Sequence, residues 1–310
     1  MDWNNILNEY MSMSKGHFVL ENLIYSYKKY LLDNSKYKNG TITEELNYLH
    51  NFDKFLKLTY PELNSVKQIK DTHIIAFRRF CSECLKNRNK TTNKKIRAIK
   101  KFLDYLTLVR HKLEYNPATK VPYLKTDKEK PPRYISKDNL RLILLTMEKM
   151  KFGIRDKCIT MLIACLGLQV KEVFNLRIDD LEMKNKKIHI IRQGTTYTFP
   201  INDNLYICLK DYLSMRNDFI TNNYESYNNY LFLSHTGKPY TPRAYQYKFK
   251  KALEIADIKG NYTPQNVRSS FAYYMAKKHD EDTMRKILNQ TKVSHFYIDE
   301  VNNNPLMSYK

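Results

Sequence analysis

The sequence predicts a mainly α-helical protein of two domains, with one small β-hairpin in the second. Apolar residues recur every three to four positions over most of the 310 residues, which is the period of an amphipathic helix. Only two short segments alternate in the manner of strands, and one charged, proline-containing stretch divides the chain. We therefore expect a helical domain over residues 1–118, a linker over 119–134 and a second domain over 135–310.

Four helices are predicted in the first domain. Helical apolar spacing covers residues 20–34, 41–58, 71–86 and 94–108. Polar stretches at 35–40 and 87–93 are expected to separate them, and Thr41 or Thr43 is a plausible helix start because acidic residues follow.

The helix predicted over residues 94–108 has a cationic polar face. Its basic residues are Lys94, Lys95, Arg97, Lys100 and Lys101. No acidic residue is interleaved among them to form pairs one turn apart, which favours a phosphate-facing surface. An ordinary solvated face is the alternative.

The second domain is expected to begin with a helix at Ser136. The most apolar helix of the chain follows over residues 156–167 and is expected to end at Gly167, and a short helix covers 170–176. Residues 187–191 and 197–201 are the predicted strands of the hairpin. From residue 204 onward the pattern is helical, with interruptions at 222–229 and 235–239.

The charge of the chain points to a polyanionic partner. Lys and Arg number 53 against 32 Asp and Glu, a net charge of +21. Nucleic acid is the obvious candidate, although a lysine-rich surface from a biased genome would give the same total. The hydrophobic content of 42% excludes a disordered polycation. No apolar run approaches the roughly 20 residues of a membrane span, and the N-terminus lacks secretory features, so a cytoplasmic location is expected.

Metal and cofactor sites are not expected. Cys81 and Cys84 have zinc-like spacing, but no second pair of ligands follows them. The five cysteines of the chain are therefore interpreted as reduced thiols, and this pair as helix residues.

Several motifs, in order, resemble the tyrosine recombinase (phage integrase) family. In the first half these are NKTTNKKIRAIKKFLDYL and the NPA at 116–118. In the second half RDKCITMLIACLGLQVKEVFNLRIDDL is similar to the family's R-D, T-G-L-R-x-S-E and D block, and TPQNVRSSFAYYM to T-P-H-x-L-R-H-S-F-A. ILNQ followed by Tyr297 is similar to L-G-H followed by the family tyrosine.

The resemblance implies both a fold and a chemistry. The first domain would be a SAM-like core-binding domain, and the second a catalytic-type domain with a small sheet. In the family a tyrosine attacks a DNA phosphodiester, while two arginines and a lysine neutralise the phosphoryl charge and histidine or lysine groups move protons. A guanidinium forks across two oxygens and stays charged, which an amide cannot imitate.

Most of the family's catalytic positions hold glutamine in this chain. The first arginine falls on Gln169, the hairpin lysine on Gln193, and the two histidines on Gln265 and Gln290. Arg268 and Tyr297 remain. The interval between positions 290 and 297 is shorter than usual in the family, so Tyr309 is a second candidate nucleophile, and Tyr297 is open to interpretation as an ordinary aromatic residue.

A second basic segment, TPRAYQYKFKK at 241–251, corresponds to the family's major-groove region. Arginine and glutamine suit bidentate contacts with guanine and adenine, respectively. A solvated basic helix is again the alternative. The full set of predicted DNA contacts is Lys94, Lys95, Arg97, Lys101, Arg192, Arg243, Tyr245, Gln246, Lys248, Lys250 and Arg268.

Three functions are consistent with this pattern. The first is a sequence-specific DNA-binding protein that clamps double-stranded DNA, has lost most catalytic residues and no longer recombines efficiently. It would act by site occupancy as a phage transcriptional repressor or regulator of lysogeny in a bacterial host, and it resembles the integrase-fold master repressors of SPbeta-type phages. The second is a divergent recombinase using Tyr297 and Arg268, in which Arg192 replaces the hairpin lysine and Lys292 or His295 stands near the last histidine position. The third is a plasmid replication or partition factor. Self-association on DNA and a regulatory protein or peptide stay open.

Overall fold

The computed structural model describes residues 3–12, 20–34, 37, 39–127, 132–192, 194–221 and 229–288. Within it the chain divides into two units, Met1–Glu129 and Lys130–Lys310, and this division falls inside the predicted linker. Each unit has its own hydrophobic core. The expected fold class, mainly helical with a small sheet, is confirmed.

The first unit is entirely helical in its described part. Its helices are α1 (Trp3–Ser12), α2 (Glu21–Asn34), α3 (Asn39–Thr59), α4 (Asp71–Arg79) and α5 (Asn89–Leu108), with a π-helical turn at Phe80–Cys84. Aromatic residues fill the centre, where Phe77 packs against both Phe52 and Phe55 at ring centroid distances of 5.2 and 5.3 Å. Burial of such large rings contributes to the driving force for folding of this unit, together with the buried leucine and isoleucine side chains around them.

The predicted break at 87–93 is wrong, because α5 already begins at Asn89. Tertiary contacts stabilise this polar first turn. The Asn93 side chain donates to the Leu124 carbonyl and accepts from the Leu124 amide, both at 2.8 Å, and the Asn89 amide donates to Lys125 O at 2.7 Å. These partners lie more than 30 residues away, so local propensity could not reveal them.

Burial raises the pKa of the Asp53 carboxyl on α3 to about 7, although the Leu20 amide donates to both of its oxygens. Between the ordinary pKa of an aspartate and pH 7 the folded state binds more protons than the unfolded state. The free energy of unfolding of the first unit should therefore fall as pH rises, by roughly 2–3 kcal/mol from pH 5 to pH 8.

Urea unfolding at the two pH values tests this prediction. The Asp53→Asn variant keeps an oxygen acceptor for Leu20 and should lose most of the pH dependence. A wild-type chain that is equally stable at pH 5 and pH 8 would contradict the prediction.

The second unit surrounds a buried helix with other helices and a sheet. Its elements are α6 (Lys137–Glu148), α7 (Gly153–Leu166), α8 (Val170–Asn175), β1 (Leu181–Glu182), β2 (Lys187–Arg192), β3 (Thr195–Pro200), α9 (Asp203–Thr221), α10 (Pro242–Ile255), α11 (Pro264–Ala276) and α12 (Glu281–Leu288). As predicted, Ser136 caps α6 by accepting a hydrogen bond from the Asn139 amide.

The sheet contains the predicted hairpin and one additional strand. All pairs are antiparallel in the order β1-β2-β3, with Arg192 opposite Thr195 at the hairpin end. The first strand is two residues long, too short for a periodic sequence signal. The turn places Arg192 at the end of β2, on the strand face that also buries Ile188 and Ile190.

Gly167 ends α7 as predicted, and the structure shows why glycine is favoured there. Its φ of 61° is left-handed, which favours glycine. A Cβ there would lie 2.3 Å from Cε1 of Phe271 on α11. This close approach brings the end of α7 against α11, where Arg268 lies.

No helix in the described part of the chain is long and apolar enough to cross a membrane.

Candidate active site and nucleic-acid interface

Arg268 lies in the second turn of α11 and is 4% exposed. The helix begins at Pro264 after Thr263, whose main-chain amide donates to Asn266 Oδ1 at 2.8 Å. The Arg268 guanidinium donates from Nη1 to the Gly167 carbonyl and from Nη2 to the Leu288 carbonyl, the latter at 2.8 Å. It therefore joins the ends of α7 and α12 to α11.

Arg192 is the second buried guanidinium of this region, with only 2% of its side chain exposed. It forks across Glu172, with 2.8 Å from Nε to Oε1 and 3.2 Å from Nη2 to Oε2. Its Nη1 donates to the Ile287 carbonyl at 3.2 Å, and the Phe199 ring lies 5.2 Å away. This bidentate arrangement is the strongest geometry for an arginine and a carboxylate.

Glu172 connects the two arginines, and we call Arg192, Glu172 and Arg268 the buried triad. The Glu172 carboxylate accepts from the Gln169 amide at 2.7 Å, and its Oε2 lies 4.0 Å from Nη1 of Arg268. Two guanidiniums and one carboxylate leave a formal charge of +1. The carbonyls at the end of α12, the negative end of the helix dipole, compensate part of it.

The glutamines contribute no charge to this region. Gln169 is exposed immediately before α8, and Gln265 is exposed in the first turn of α11. Gln193, Gln290 and Tyr297 lie outside the described residues, so their predicted roles stay predictions. Among the positions described, the structure brings Arg192 and Arg268 to one carboxylate, whereas Gln169 and Gln265 present only amides.

The structure changes the interpretation of three predicted DNA contacts on α5. Lys95 is buried, with its Nζ 3.9 Å from Cys81 Sγ, so it is withdrawn as a DNA contact. Lys94 pairs with Glu44 at 3.3 Å and Lys101 with Glu45 at 3.2 Å. These acids lie on α3, so the residue pattern of α5 alone could not reveal them.

Arg97 is exposed on the outer face of α5 and has no ion pair among the described residues. It is the cation of that face best placed to meet a phosphate. Lys94 is also exposed, but a DNA phosphate would have to compete with Glu44 for its ammonium.

Helix α10 is capped by the Thr241 hydroxyl, which accepts from the Ala244 amide, and Pro242 occupies its first turn. Tyr245 faces inward, fully buried, with its hydroxyl 2.8 Å from Thr160 Oγ1, and is also withdrawn as a DNA contact. Lys248 is half-buried, and its Nζ donates to the Lys151 carbonyl at 3.4 Å.

Three predicted contacts on α10 are exposed, namely Arg243, Gln246 and Lys250. Tyr247, which the sequence reasoning missed, is exposed beside them. Helical spacing would have found it, because Tyr247 is four residues after Arg243 and therefore on the same face, whereas Tyr245 is two residues after it.

Arg192 requires a third correction. Its guanidinium is held by Glu172 and the Ile287 carbonyl inside the unit, so it is withdrawn as a surface contact to DNA. Arg268 is buried in the same way, and a phosphate that approached it would meet a guanidinium already bonded to two carbonyls.

Residues 133–298, more than half of the chain, match the Phage integrase family. The chain belongs to this family. The fold agrees with that of solved family structures. In the structure of a lambda integrase dimer bound to a COC′ core site, the match covers 92% of this chain and 78% of the integrase chain, with a TM-score of 0.68 and 11% identity. The Tn1549 transposon integrase in complex with transposon right end DNA has a TM-score of 0.66 at 17% identity, over 88% of this chain and 93% of its own.

Curated relatives within the family are tyrosine recombinases named XerC. That of Psychromonas ingrahamii is 29% identical over 182 residues, which are 58% of this chain and 59% of the relative. The chain thus spans about three fifths of that relative's length. The protein of Caldanaerobacter subterraneus subsp. tengcongensis is 24% identical over 87% of this chain and 77% of its own length.

Proposed function

We infer that this member of the family is a sequence-specific protein that binds double-stranded DNA and no longer cleaves it efficiently. It represses transcription of phage genes by occupying its DNA site. The observation that carries the proposal is the state of the side chains at two catalytic positions of the family. An exposed, uncharged Gln169 stands where the family has its first arginine, and the guanidinium of Arg268 is engaged by two main-chain carbonyls.

The loss of charge acts on the transition state. Cleavage gathers negative charge on the phosphoryl oxygens, and each lost preorganised donor typically lowers the rate by about 10²–10³. Glutamine hydrogen-bonds a phosphate oxygen but brings no positive charge. Losses within one site are not multiplicative, but the described positions 169 and 265 both lack a charged or proton-transferring group.

DNA binding does not depend on these lost groups. The net charge of +21 and the exposed cations Arg97, Arg243 and Lys250 support attraction to a phosphate backbone. The solved structures similar to this chain include recombinases bound to their DNA sites. A protein that keeps the family fold and its exposed cations but lacks charged groups at positions 169 and 265 is suited to occupy a DNA site without cleaving it, and so to repress transcription.

A trapping assay tests the loss of cleavage. The wild-type chain first selects a duplex from a random library, and a series of substrates is made from it, each nicked beside a different phosphate. Cleavage at the nick releases a short strand that diffuses away, so the covalent protein–DNA adduct persists. We expect no adduct above the level of Tyr297→Phe. An adduct that forms with the wild type and disappears in Tyr297→Phe would overturn the proposal.

The chain itself supplies a positive control for this assay. A variant with Gln169→Arg, Gln193→Lys, Gln265→His and Gln290→His restores the four family residues. Adduct formation by this variant, but not by the wild type, would assign the inactivity to those glutamines.

A divergent, active recombinase is the second candidate. It is favoured by the XerC relatives and by Arg192, a second guanidinium that lies against the same Glu172 carboxylate as Arg268. The location of the selected site separates the remaining functions, because a repressor site overlaps a promoter, a recombination site lies at an element boundary and a replication factor's site lies in an origin.

A further inference from the structure

The outward face of α10 combines charged, amide and aromatic side chains in one stripe. Its exposed members are Arg243, Gln246, Tyr247, Lys250 and Glu254, and each lies three or four residues from another member of the set. The inward face is apolar and holds the helix against the core through Tyr245, Phe249, Ala252 and Leu253. The orientation of the stripe is therefore fixed by the packing of the helix.

Tyr247 differs from the other aromatic residues of this helix. It is 67% exposed, and it forms no hydrogen bond or ring contact with any described residue. Tyr245, in contrast, is fully buried and its hydroxyl is satisfied by Thr160. An exposed aromatic ring between cations offers apolar contact area that the isolated unit leaves unused.

We propose that Tyr247 is a specificity-determining residue that places its ring against the C5-methyl group of a thymine in the major groove. This assignment rests on the proposed DNA-binding function and adds to it the base that Tyr247 recognises. From Arg243 to Lys250 the helix rises about 10 Å, which corresponds to roughly three base-pair steps. Tyr247 lies in the middle of this span.

The neighbours of Tyr247 supply complementary contacts. Arg243 lies one turn before it and Gln246 directly precedes it, and these two side chains suit guanine and adenine edges, respectively. Lys250, one turn after it, can meet a phosphate, although its ammonium also lies 3.8 Å from the Glu254 carboxylate. An aromatic ring cannot read donors and acceptors in the way that Arg243 and Gln246 can, but it can pack on a methyl group, which only thymine presents in the major groove.

Selection from a random duplex library tests the proposal. The wild type, Tyr247→Ala and Tyr247→Phe are each used to select sites, and the base preferences are compared position by position. We expect Tyr247→Ala to lose the preference for thymine at one or two adjacent positions while keeping the rest of the motif. Tyr247→Phe should retain that preference because the ring persists.

Replacing the affected thymine by deoxyuridine removes only the methyl group. Wild-type affinity should then fall about fourfold, the value of one buried methyl group, and the affinity of Tyr247→Ala should not change. Ile255→Ala is the matched control, since Ile255 is the last residue of the same helix and is 58% exposed. It should leave both the motif and the response to deoxyuridine unchanged.

The failures of the two proposals are distinguishable. A wild-type chain that selects no motif overturns the proposed function and this assignment with it. A motif that persists unchanged in Tyr247→Ala overturns the assignment alone. Equal weakening of all duplexes by Tyr247→Phe also overturns it, because that result would indicate a phosphate contact by the hydroxyl.

Discussion

Replacement of Glu172 by glutamine is expected to lower the free energy of unfolding of the unit Lys130–Lys310 by about 3 kcal/mol. The Glu172 side chain is only 15% exposed and accepts both hydrogen bonds of the Arg192 fork. Glutamine preserves the shape and one acceptor but leaves two buried guanidiniums without an anion. Removing one partner of a buried ion pair costs more than the pair itself contributes.

Urea unfolding followed by circular dichroism measures this loss, and hydrogen exchange at α8, β2 and α11 locates it. Glu281→Gln is the matched control, because Glu281 pairs with Arg285 at the surface at 2.6 Å. Such exposed pairs contribute at most about 1 kcal/mol. A Glu172→Gln chain as stable as this control would show that the buried triad does not hold the ends of α7 and α12 together.

Duplex affinity is expected to fall by about 10³-fold or more between 50 and 200 mM salt. The physical reason is release of counterions when a chain of net charge +21 neutralises six or more DNA phosphates. Fluorescence anisotropy with the selected duplex at several salt concentrations gives the slope. An affinity that is flat across this range would contradict binding through the phosphate backbone.

Single substitutions assign the slope to particular cations. Arg97→Gln should reduce the log–log slope by about 1, since it removes one phosphate contact. Arg285→Gln should leave the slope unchanged, because Arg285 is already paired with Glu281 and Asp282. Equal slopes for the two variants would remove Arg97 from the interface.

The helical architecture of the second unit was predictable because its signals are local. Ser136 precedes α6 and caps it, and Gly167 follows α7 and terminates it. The two strands of the hairpin pair on either side of a turn that contains Gly194. Each of these devices acts within a few residues of the chain. The first unit was predicted less well where distant residues stabilise a polar turn, as Leu124 does for Asn93.

The sequence by itself determined the family resemblance and the excess of positive charge, and it predicts Gln169 and Gln265 at catalytic positions of the family, since these depend only on which residue stands at which place. Only the tertiary structure decided which side chains face solvent. It buried Tyr245 against Thr160, 85 residues away, paired Lys94 with Glu44, 50 residues away, and joined Arg192 to Arg268 through Glu172. Burial and ion pairing are properties of packed neighbours, and neighbours in the fold are remote in the chain.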